Sequence, residues 1–237
     1  MGLARGGTNH AVNASNCLRI TAAVPALVIL ERILEPELLD HMDPADPAAV
    51  RSRADLLFIN RLMGTERWML LQLARVVTDV DTVIELGAGE GRLLQAIHLR
   101  FPSLRCIGYD LIARPPGISS EVCWECGDFM EHMDSSILNG RTVVVANLIL
   151  HHLNRDQLEQ LRLAFEKLAC VLVVEPDRSA MSLGLARLLL PFVGSVTRLD
   201  MMTSIRAGFK VGELGKLLGK EPVEESVWLG GRRVKLQ

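Results

Sequence analysis

Residues 82–91 read Thr-Val-Ile-Glu-Leu-Gly-Ala-Gly-Glu-Gly, and the rest of the fold is best worked out from this segment. Thr82 to Leu86 is a short apolar run of strand length. The glycines from Gly87 to Gly91 permit a tight turn and let a ligand approach the backbone. Apolar residues then recur at helical spacing from Leu93 to Phe101. The segment therefore predicts a strand, a glycine turn and a helix whose first amides have no partner within the helix.

The remainder of the chain repeats this alternation of strands and helices. Further strands are predicted at Leu104–Tyr109, Val122–Cys126, Thr142–Ala146 and Cys170–Val174. A pair of glycines, Gly230-Gly231, forms a tight turn between two more predicted strands, Val223–Leu229 and Arg232–Leu236, as a hairpin. Short apolar strands alternating with helices indicate a sheet covered on both faces. We predict an α/β fold with a doubly wound, mostly parallel seven-stranded sheet and a C-terminal antiparallel hairpin strand.

A helical pair is predicted ahead of the sheet. Asp46 can cap a helix that Pro47 opens, and Gly64 separates this helix from the next. The predicted organisation is an N-terminal extension that is partly disordered and a single domain that contains the rest. The extension covers residues 1–42 and the domain covers residues 43–237. Within the domain we expect a helical lid at 47–78, the cofactor-binding core at 79–178, an acceptor-side insertion at 179–212, and the last helix and hairpin at 213–237.

Composition narrows the classes of partner. The formal net charge is −2 and aromatic residues make up 4% of the 237 residues, which argues against a nucleic-acid-binding protein. Five scattered cysteines do not form a disulfide framework and favour a reducing compartment. The apolar run Ile20 to Leu30 is too short to span a bilayer and contains Pro25. We expect a cytoplasmic monomer or homodimer without a membrane span.

The ends of the predicted strands carry polar residues, where open α/β sheets bind their ligands. A glycine turn followed about 20 residues later by an acid, here Asp110, also suits a dinucleotide. Two details argue against that ligand. The third glycine follows the second by two residues, and Glu85 and Glu90 would repel a pyrophosphate. The same acids would attract a sulfonium cation and an α-amino group, so the charges favour S-adenosylmethionine over NAD.

Four motifs in order strengthen this interpretation: Val83–Gly91, Gly108-Tyr-Asp110, Gly127-Asp128, and Ala146-Asn-Leu-Ile-Leu-His-His-Leu153. The series resembles class I S-adenosylmethionine-dependent methyltransferases, and most of all the small-molecule group that includes the ubiquinone/menaquinone-type enzymes. The resemblance implies a cofactor site in which glycines pass beneath the methionine and ribose, Glu85 holds the amino group, and Asp110 takes the ribose hydroxyls. The implied cofactor-binding residues are Glu85, Gly87, Ala88, Gly89, Gly91, Asp110, Leu111, Asp128, Phe129 and Asn147.

His151 and His152 lie just past the fourth strand and are the candidate catalytic residues. Either one of them accepts the acceptor's proton, or they only line the pocket. Arg61, Trp68 and Arg206 are the candidates for the pocket of a small, apolar or aromatic acceptor. No metal site is predicted, because Glu175 and Asp177 alone do not make one. The alternatives are an NAD(P)-dependent oxidoreductase and a non-catalytic module that binds S-adenosylmethionine.

Overall fold

The computed structural model describes residues 31–237; the first thirty residues of the predicted extension lie outside the described part. Within it, one seven-stranded sheet has the strand order β3-β2-β1-β4-β5-β7-β6. The strands are β1 (Thr82–Leu86), β2 (Arg105–Asp110), β3 (Cys123–Cys126), β4 (Thr142–Asn147), β5 (Cys170–Pro176), β6 (Pro222–Trp228) and β7 (Gly231–Leu236). The helices are α1 (Pro47–Leu62), α2 (Thr65–Ala74), α3 (Arg92–Arg100), α4 (Phe129–His132), α5 (Arg155–Ala164), α6 (Ala180–Leu189), α7 (Ser195–Ala207) and α8 (Glu213–Leu218).

The first five strands are parallel, and β7 pairs antiparallel with both β5 and β6. This confirms the predicted mostly parallel sheet that ends in an antiparallel hairpin. The helical pair ahead of the sheet is confirmed as α1 and α2, but α2 ends at Ala74, before the predicted end at residue 78. Gly64 separates the two helices with a φ of 57°, a left-handed conformation that glycine adopts at little cost.

Alternation along the strands builds a separate core on each face of the sheet. Ile84 and Leu86 of β1 face the side that α5 and α8 cover, where Phe165 is fully buried. Val83 faces the side covered by α2 and α3, with Leu94 among its neighbours. Both cores are apolar, so burial on both faces fixes the register of the central strands.

The sheet positions the site through its topology. The chain turns to opposite sides after β1 and β4, which are neighbours in the sheet, so a crevice opens at their carboxyl ends. Helices α1, α6 and α7 lie over this edge, and Asp55 of α1 ties two of them together. Its carboxylate accepts from the Gly194 amide at 2.7 Å and from the Thr197 hydroxyl at 2.9 Å. Among the helices of residues 31–237, none has the length and apolar character needed to cross a membrane.

Candidate active site

The turn after β1 depends on three glycines with left-handed backbone. Gly87, Gly89 and Gly91 have φ values of 62°, 55° and 69°. A Cβ on Gly87 would lie 2.7 Å from the Ile149 side chain, and one on Gly91 would lie 2.6 Å from that of Ile118. A Cβ on Gly89 would meet nothing within 4 Å among the described residues. Two of the glycines are therefore required by packing, whereas Gly89 presents bare backbone to open space.

Asp110, at the end of β2, braces this turn. Its carboxylate accepts from the Gly89 amide at 2.6 Å and from the Ile112 amide at 3.1 Å. A carboxylate offers about four lone-pair sites, so these two bonds leave capacity for a ligand. The neighbouring predicted residue Leu111 is 75% exposed, which suits a side chain that would cover a flat ring.

The end of β3 carries the next two predicted residues. Asp128 caps α4 by accepting from the Met130 amide at 2.8 Å. Phe129 is buried and packs within the core beneath the sheet. Asp128 is thus held in place by its own helix through one oxygen, whereas Phe129 has a packing role.

A cavity of about 810 Å³ opens between the glycine turn, the end of β4 and the helices above. Its volume is in the range of small-molecule sites. Eight of the predicted site residues line it, namely Arg61, Glu85, Gly87, Ala88, Gly89, Asn147, His151 and His152. The remaining predicted residues, Gly91, Asp110, Leu111, Asp128, Phe129, Trp68 and Arg206, are not part of this lining.

Trp68 and Arg206 have other partners. The Trp68 indole donates to Glu224 of β6 at 3.3 Å, and the Arg206 guanidinium lies 3.7 Å from Glu35. Trp68 therefore packs on the hairpin side of α2, and Arg206 faces the chain ahead of α1. Of the three residues predicted for an acceptor, only Arg61 reaches the cavity.

Two buried oxygens in the cavity wall, Glu85 Oε2 and Asn147 Oδ1, have no hydrogen-bond partner within the described part of the chain. Buried polar atoms are rarely left unpaired unless a ligand or water satisfies them. Burial raises the pKa of Glu85 to about 8; a backbone hydrogen bond from Leu94 opposes this effect and the charge of Asp110 adds to it. A ligand that donates hydrogen bonds and carries positive charge fits this pair, and the α-ammonium of an amino acid has both properties.

His151 is the most constrained titratable group in the cavity. It lies in a 3-10 helix, Leu150–His152, and only 4% of its side chain is exposed. Its Nδ1 is 2.7 Å from Oε2 of Glu175, a fully buried residue of β5 that also accepts from the Ile149 and Leu150 amides at 2.9 and 2.7 Å. Burial alone would lower the pKa of His151, but the charge and hydrogen bond of Glu175, together with Glu37, raise it to about 9.

Glu37 is a component of the site that the sequence analysis missed. It belongs to the segment ahead of α1, and its Oε1 lies 3.4 Å from Nε2 of His151. No local pattern marks this acid, because the contact joins residues more than a hundred positions apart. The contact between Glu175 and His151 could have been predicted from the sequence, because β4 and β5 are adjacent parallel strands whose carboxyl ends meet.

His152 lies beside His151, with ring centroids 4.2 Å apart and Nδ1 3.7 Å from Asp40. Burial, reinforced by the charge of His151, lowers the pKa of His152. The atoms of Glu37, His151 and His152 that could bind a metal ion lie within 4.8 Å of one another. Both ring nitrogens of His151 are already engaged, however, by the 2.7 Å pairing with Glu175 and by the contact with Glu37. The two histidines thus favour different charge states, with His151 positive and His152 neutral.

Comparison with known proteins agrees with this geometry at the level of the fold. No protein-family model and no curated protein matches the sequence. Among solved structures, the plantazolicin methyltransferase BamL in complex with a triazolic desmethylPZN analog and SAH superposes with a TM-score of 0.58 at 16% identity, covering 76% of this chain and 68% of that one.

Two further structures are similar. The plantazolicin methyltransferase BpumL in complex with a triazolic desmethylPZN analog and SAH has a TM-score of 0.56 at 13% identity, covering 81% of this chain and 91% of that one. The pyocyanin biosynthetic protein PhzM has a TM-score of 0.53 at 18% identity, covering 81% of this chain and 59% of that one. The chain therefore has the class I methyltransferase fold.

Proposed function

We propose that this protein is an S-adenosylmethionine-dependent methyltransferase that acts on a small-molecule acceptor. One observation carries the proposal: Glu85 and Asn147, which line the cavity beside a glycine turn whose backbone at Gly89 is bare, each have a buried side-chain oxygen without a hydrogen-bond partner among residues 31–237. An acidic, hydrogen-bond-accepting wall suits the amino acid end of a cationic cofactor and opposes a pyrophosphate. Solved structures of the same fold contain SAH, the demethylated form of this cofactor.

The residues at the ends of β1 to β4 have the chemistry that the parts of this cofactor require, although only some of them line the cavity. Glu85 and Asn147 would hold the amino acid portion, the turn Gly87–Gly91 would lie beneath the ribose, and Asp110 would accept from the ribose hydroxyls. Leu111 would cover the adenine and Asp128 would accept from its amino group. When bound, the cofactor supplies a methyl group on positively charged sulfur.

The acceptor would occupy the part of the cavity beneath the helices. The apolar side chains there include Leu56, Leu185, Leu189, Met201 and Ile205. Apolar walls exclude water and favour an apolar or aromatic acceptor. His151 faces this space with a firmly oriented ring, which favours a hydroxyl acceptor whose proton it can take.

The proposed reaction balances with the residues in place. With His151 in its unprotonated form, which prevails above its pKa of about 9, the acceptor oxygen loses its proton to Nε2 and forms a bond to the methyl carbon as the bond between that carbon and sulfur breaks. The proton then passes from His151 to solvent. Of the two ring nitrogens, Glu175 contacts Nδ1, so it orients the ring and stabilises the imidazolium. The expected cytoplasmic location and the monomer or homodimer state rest on the sequence alone.

Calorimetry with S-adenosylmethionine, SAH and NADH tests the cofactor. We expect the first two to bind the wild type and NADH not to bind. Asp110→Ala removes charge-assisted hydrogen bonds to the ribose, and the loss of one such bond costs about 1.5–3 kcal/mol, so affinity should fall at least about tenfold. Glu131→Gln, an exposed change on α4, is the matched control. Tighter binding of NADH than of S-adenosylmethionine would contradict the proposal.

Methyl transfer needs its own assay. Radiolabelled S-adenosylmethionine is offered with a panel of phenols, amines and thiols, and transfer to a phenol with loss in His151→Ala is expected. Cofactor binding without transfer to any member of a complex metabolite extract would favour a non-catalytic binding module.

A further inference from the structure

The chain ahead of α1 forms a wall of the cavity. Residues 31–46 have little regular structure, but α7 and the histidine-bearing turn hold them in place. The Ile33 amide donates to the Arg206 carbonyl at 3.3 Å. The Leu38 and Leu39 amides donate to the two oxygens of Asp200 at 2.8 and 3.0 Å. These bonds fix the backbone on both sides of Glu37.

Arg32 fastens the same segment to the turn that carries His151. Its guanidinium donates to the Leu150 carbonyl at 3.1 Å, the His151 carbonyl at 2.9 Å and the Ala207 carbonyl at 2.7 Å. It also lies over the Phe209 ring, 4.6 Å from the centroid. The segment and the turn are therefore one connected unit, so Glu37 keeps a fixed place relative to the imidazole.

The two carboxylates on His151 hold it unequally. Glu175 contacts Nδ1 at 2.7 Å, the length of a strong charge-assisted bond, whereas Glu37 contacts Nε2 at 3.4 Å. The Ser204 hydroxyl also donates to Glu37 Oε1 and keeps the carboxylate in place. Only 12% of the Glu37 side chain is exposed, and both Glu37 and His151 line the cavity. Nε2 is thus the nitrogen whose partner can be exchanged.

We propose that Glu37 is a positioning residue for His151: it holds Nε2 toward the cavity and gives up this contact to the oxygen of the arriving acceptor. The inference rests on the proposed methyl transfer and adds to it a residue from outside the sheet. It also assigns a preference to the site, namely acceptors whose reacting oxygen can share Nε2 with a carboxylate, such as phenols with a weakly acidic hydroxyl.

The charges around the ring give the proposal a measurable consequence. With the charges of Glu175 and Glu37 beside it, His151 has a pKa of about 9, so the resting ring is mostly protonated at neutral pH. Removing one carboxylate should lower that pKa by about one unit. The charged and titratable groups that surround the ring or its immediate partners are Glu37, Glu175, His152, Asp40 and Arg32.

Glu37→Gln tests the assignment, and Glu35→Gln, an exposed change two residues earlier on the same segment, is the matched control. The first readout is the pKa of His151, measured by NMR of histidine-labelled protein without cofactor. We expect it to fall by about one unit in Glu37→Gln, to remain as in the wild type in Glu35→Gln, and to recover in part in Glu37→Asp. Thermal unfolding monitors that each variant folds.

The second readout is the pH profile of kcat. The rise of kcat with pH should move to lower pH by the same amount in Glu37→Gln, while the plateau at high pH falls about tenfold because the base is weaker and less well oriented. Cofactor affinity should stay unchanged. A histidine pKa that does not move, or a faster rate in Glu37→Gln at every pH, would overturn the inference, the latter by showing that Glu37 only blocks the ring.

Metal analysis of the purified proteins tests the alternative that Glu37 binds a metal ion. Stoichiometric metal in the wild type that is lost in Glu37→Gln would make Glu37 a ligand and would also overturn the inference. The NMR titration needs neither cofactor nor turnover, so it tests Glu37 independently of the calorimetric test of S-adenosylmethionine binding. Failure of the inference and failure of the proposed function are therefore distinguishable.

Discussion

Glu85→Gln should make the free protein more stable at neutral pH and remove a proton release that accompanies cofactor binding. The carboxyl of Glu85 is buried, and burial raises its pKa from the ordinary value of 4.5 to about 8, against a backbone hydrogen bond from Leu94 and with a contribution from the charge of Asp110. In the unfolded chain the group ionises near its ordinary pKa. In the folded protein it keeps its proton until about pH 8.

The size of the effect follows from proton linkage. Between pH 4.5 and pH 8 the folded state binds one more proton at this position than the unfolded state, so the free energy of unfolding falls by about 1.4 kcal/mol per pH unit. From pH 4.5 to pH 7 this amounts to about 3 kcal/mol. Glutamine has the same shape and no proton to lose. The two proteins should therefore be equally stable at about pH 4, and the variant about 3 kcal/mol more stable at pH 7, by urea unfolding.

Cofactor binding should release the same proton of Glu85. At pH 7 a group with a pKa of about 8 is about nine-tenths protonated, and a cation placed beside it favours the carboxylate. Binding of S-adenosylmethionine should then release up to about 0.9 proton from the wild type and none of it from Glu85→Gln. Calorimetry in two buffers that differ in ionisation enthalpy measures this difference. SAH, which keeps the ammonium but has neutral sulfur, shows which cation is responsible.

Two results would refute the reasoning. One is equal stability of the two proteins at pH 7, which would mean that burial does not keep Glu85 neutral. The other is the same proton release in both proteins, which would assign the proton to another group.

Two further predictions concern the turn and the histidine. Gly89→Ala adds a side chain in open space at a φ of 55°, so it should cost about 1–2 kcal/mol of stability but weaken cofactor binding strongly. Gly91→Ala, whose Cβ meets Ile118 at 2.6 Å, should cost about 2–4 kcal/mol of stability. Equal cofactor affinity in Gly89→Ala and the wild type would contradict the first prediction. Glu175→Gln places an amide group among the Ile149 and Leu150 amides and the His151 ring, which already donate to this side chain. Urea unfolding should therefore show a loss of about 3–5 kcal/mol in the free energy of unfolding. NMR should show a lower pKa for His151 in the same variant, and an unchanged pKa would dismiss Glu175 as its partner.

Local patterns in the sequence were enough to predict the sheet. β1 has the predicted bounds, Thr82–Leu86, because the short, mostly apolar run predicts a strand and the glycine turn that follows marks its end. At the start of α5, Asn154 and Gln157 form a capping box in both directions, a pattern of residues three positions apart that the sequence itself displays. Such features depend on neighbours a few residues apart, so the sequence carries them in full.

The walls of the site depend on distant parts of the chain and were predicted less well. Trp68 was expected at the acceptor, but periodicity gives only the face of α2 on which it lies, and β6 covers that face. Glu37 reaches His151 only because α7 and Arg32 fix the backbone around it. Tertiary contacts between irregular segments leave no periodic trace in the sequence, which is why this acid was missed.

The attachment of residues 31–46 to α7 has a practical consequence for anyone who prepares shortened versions of the protein. A version that starts at α1 would retain every strand, both cores and the glycine turn. It would nevertheless lack the carboxylate next to the imidazole and the guanidinium that secures the histidine turn. Negative results from such a shortened protein would reflect the missing wall and not the chemistry of the intact protein.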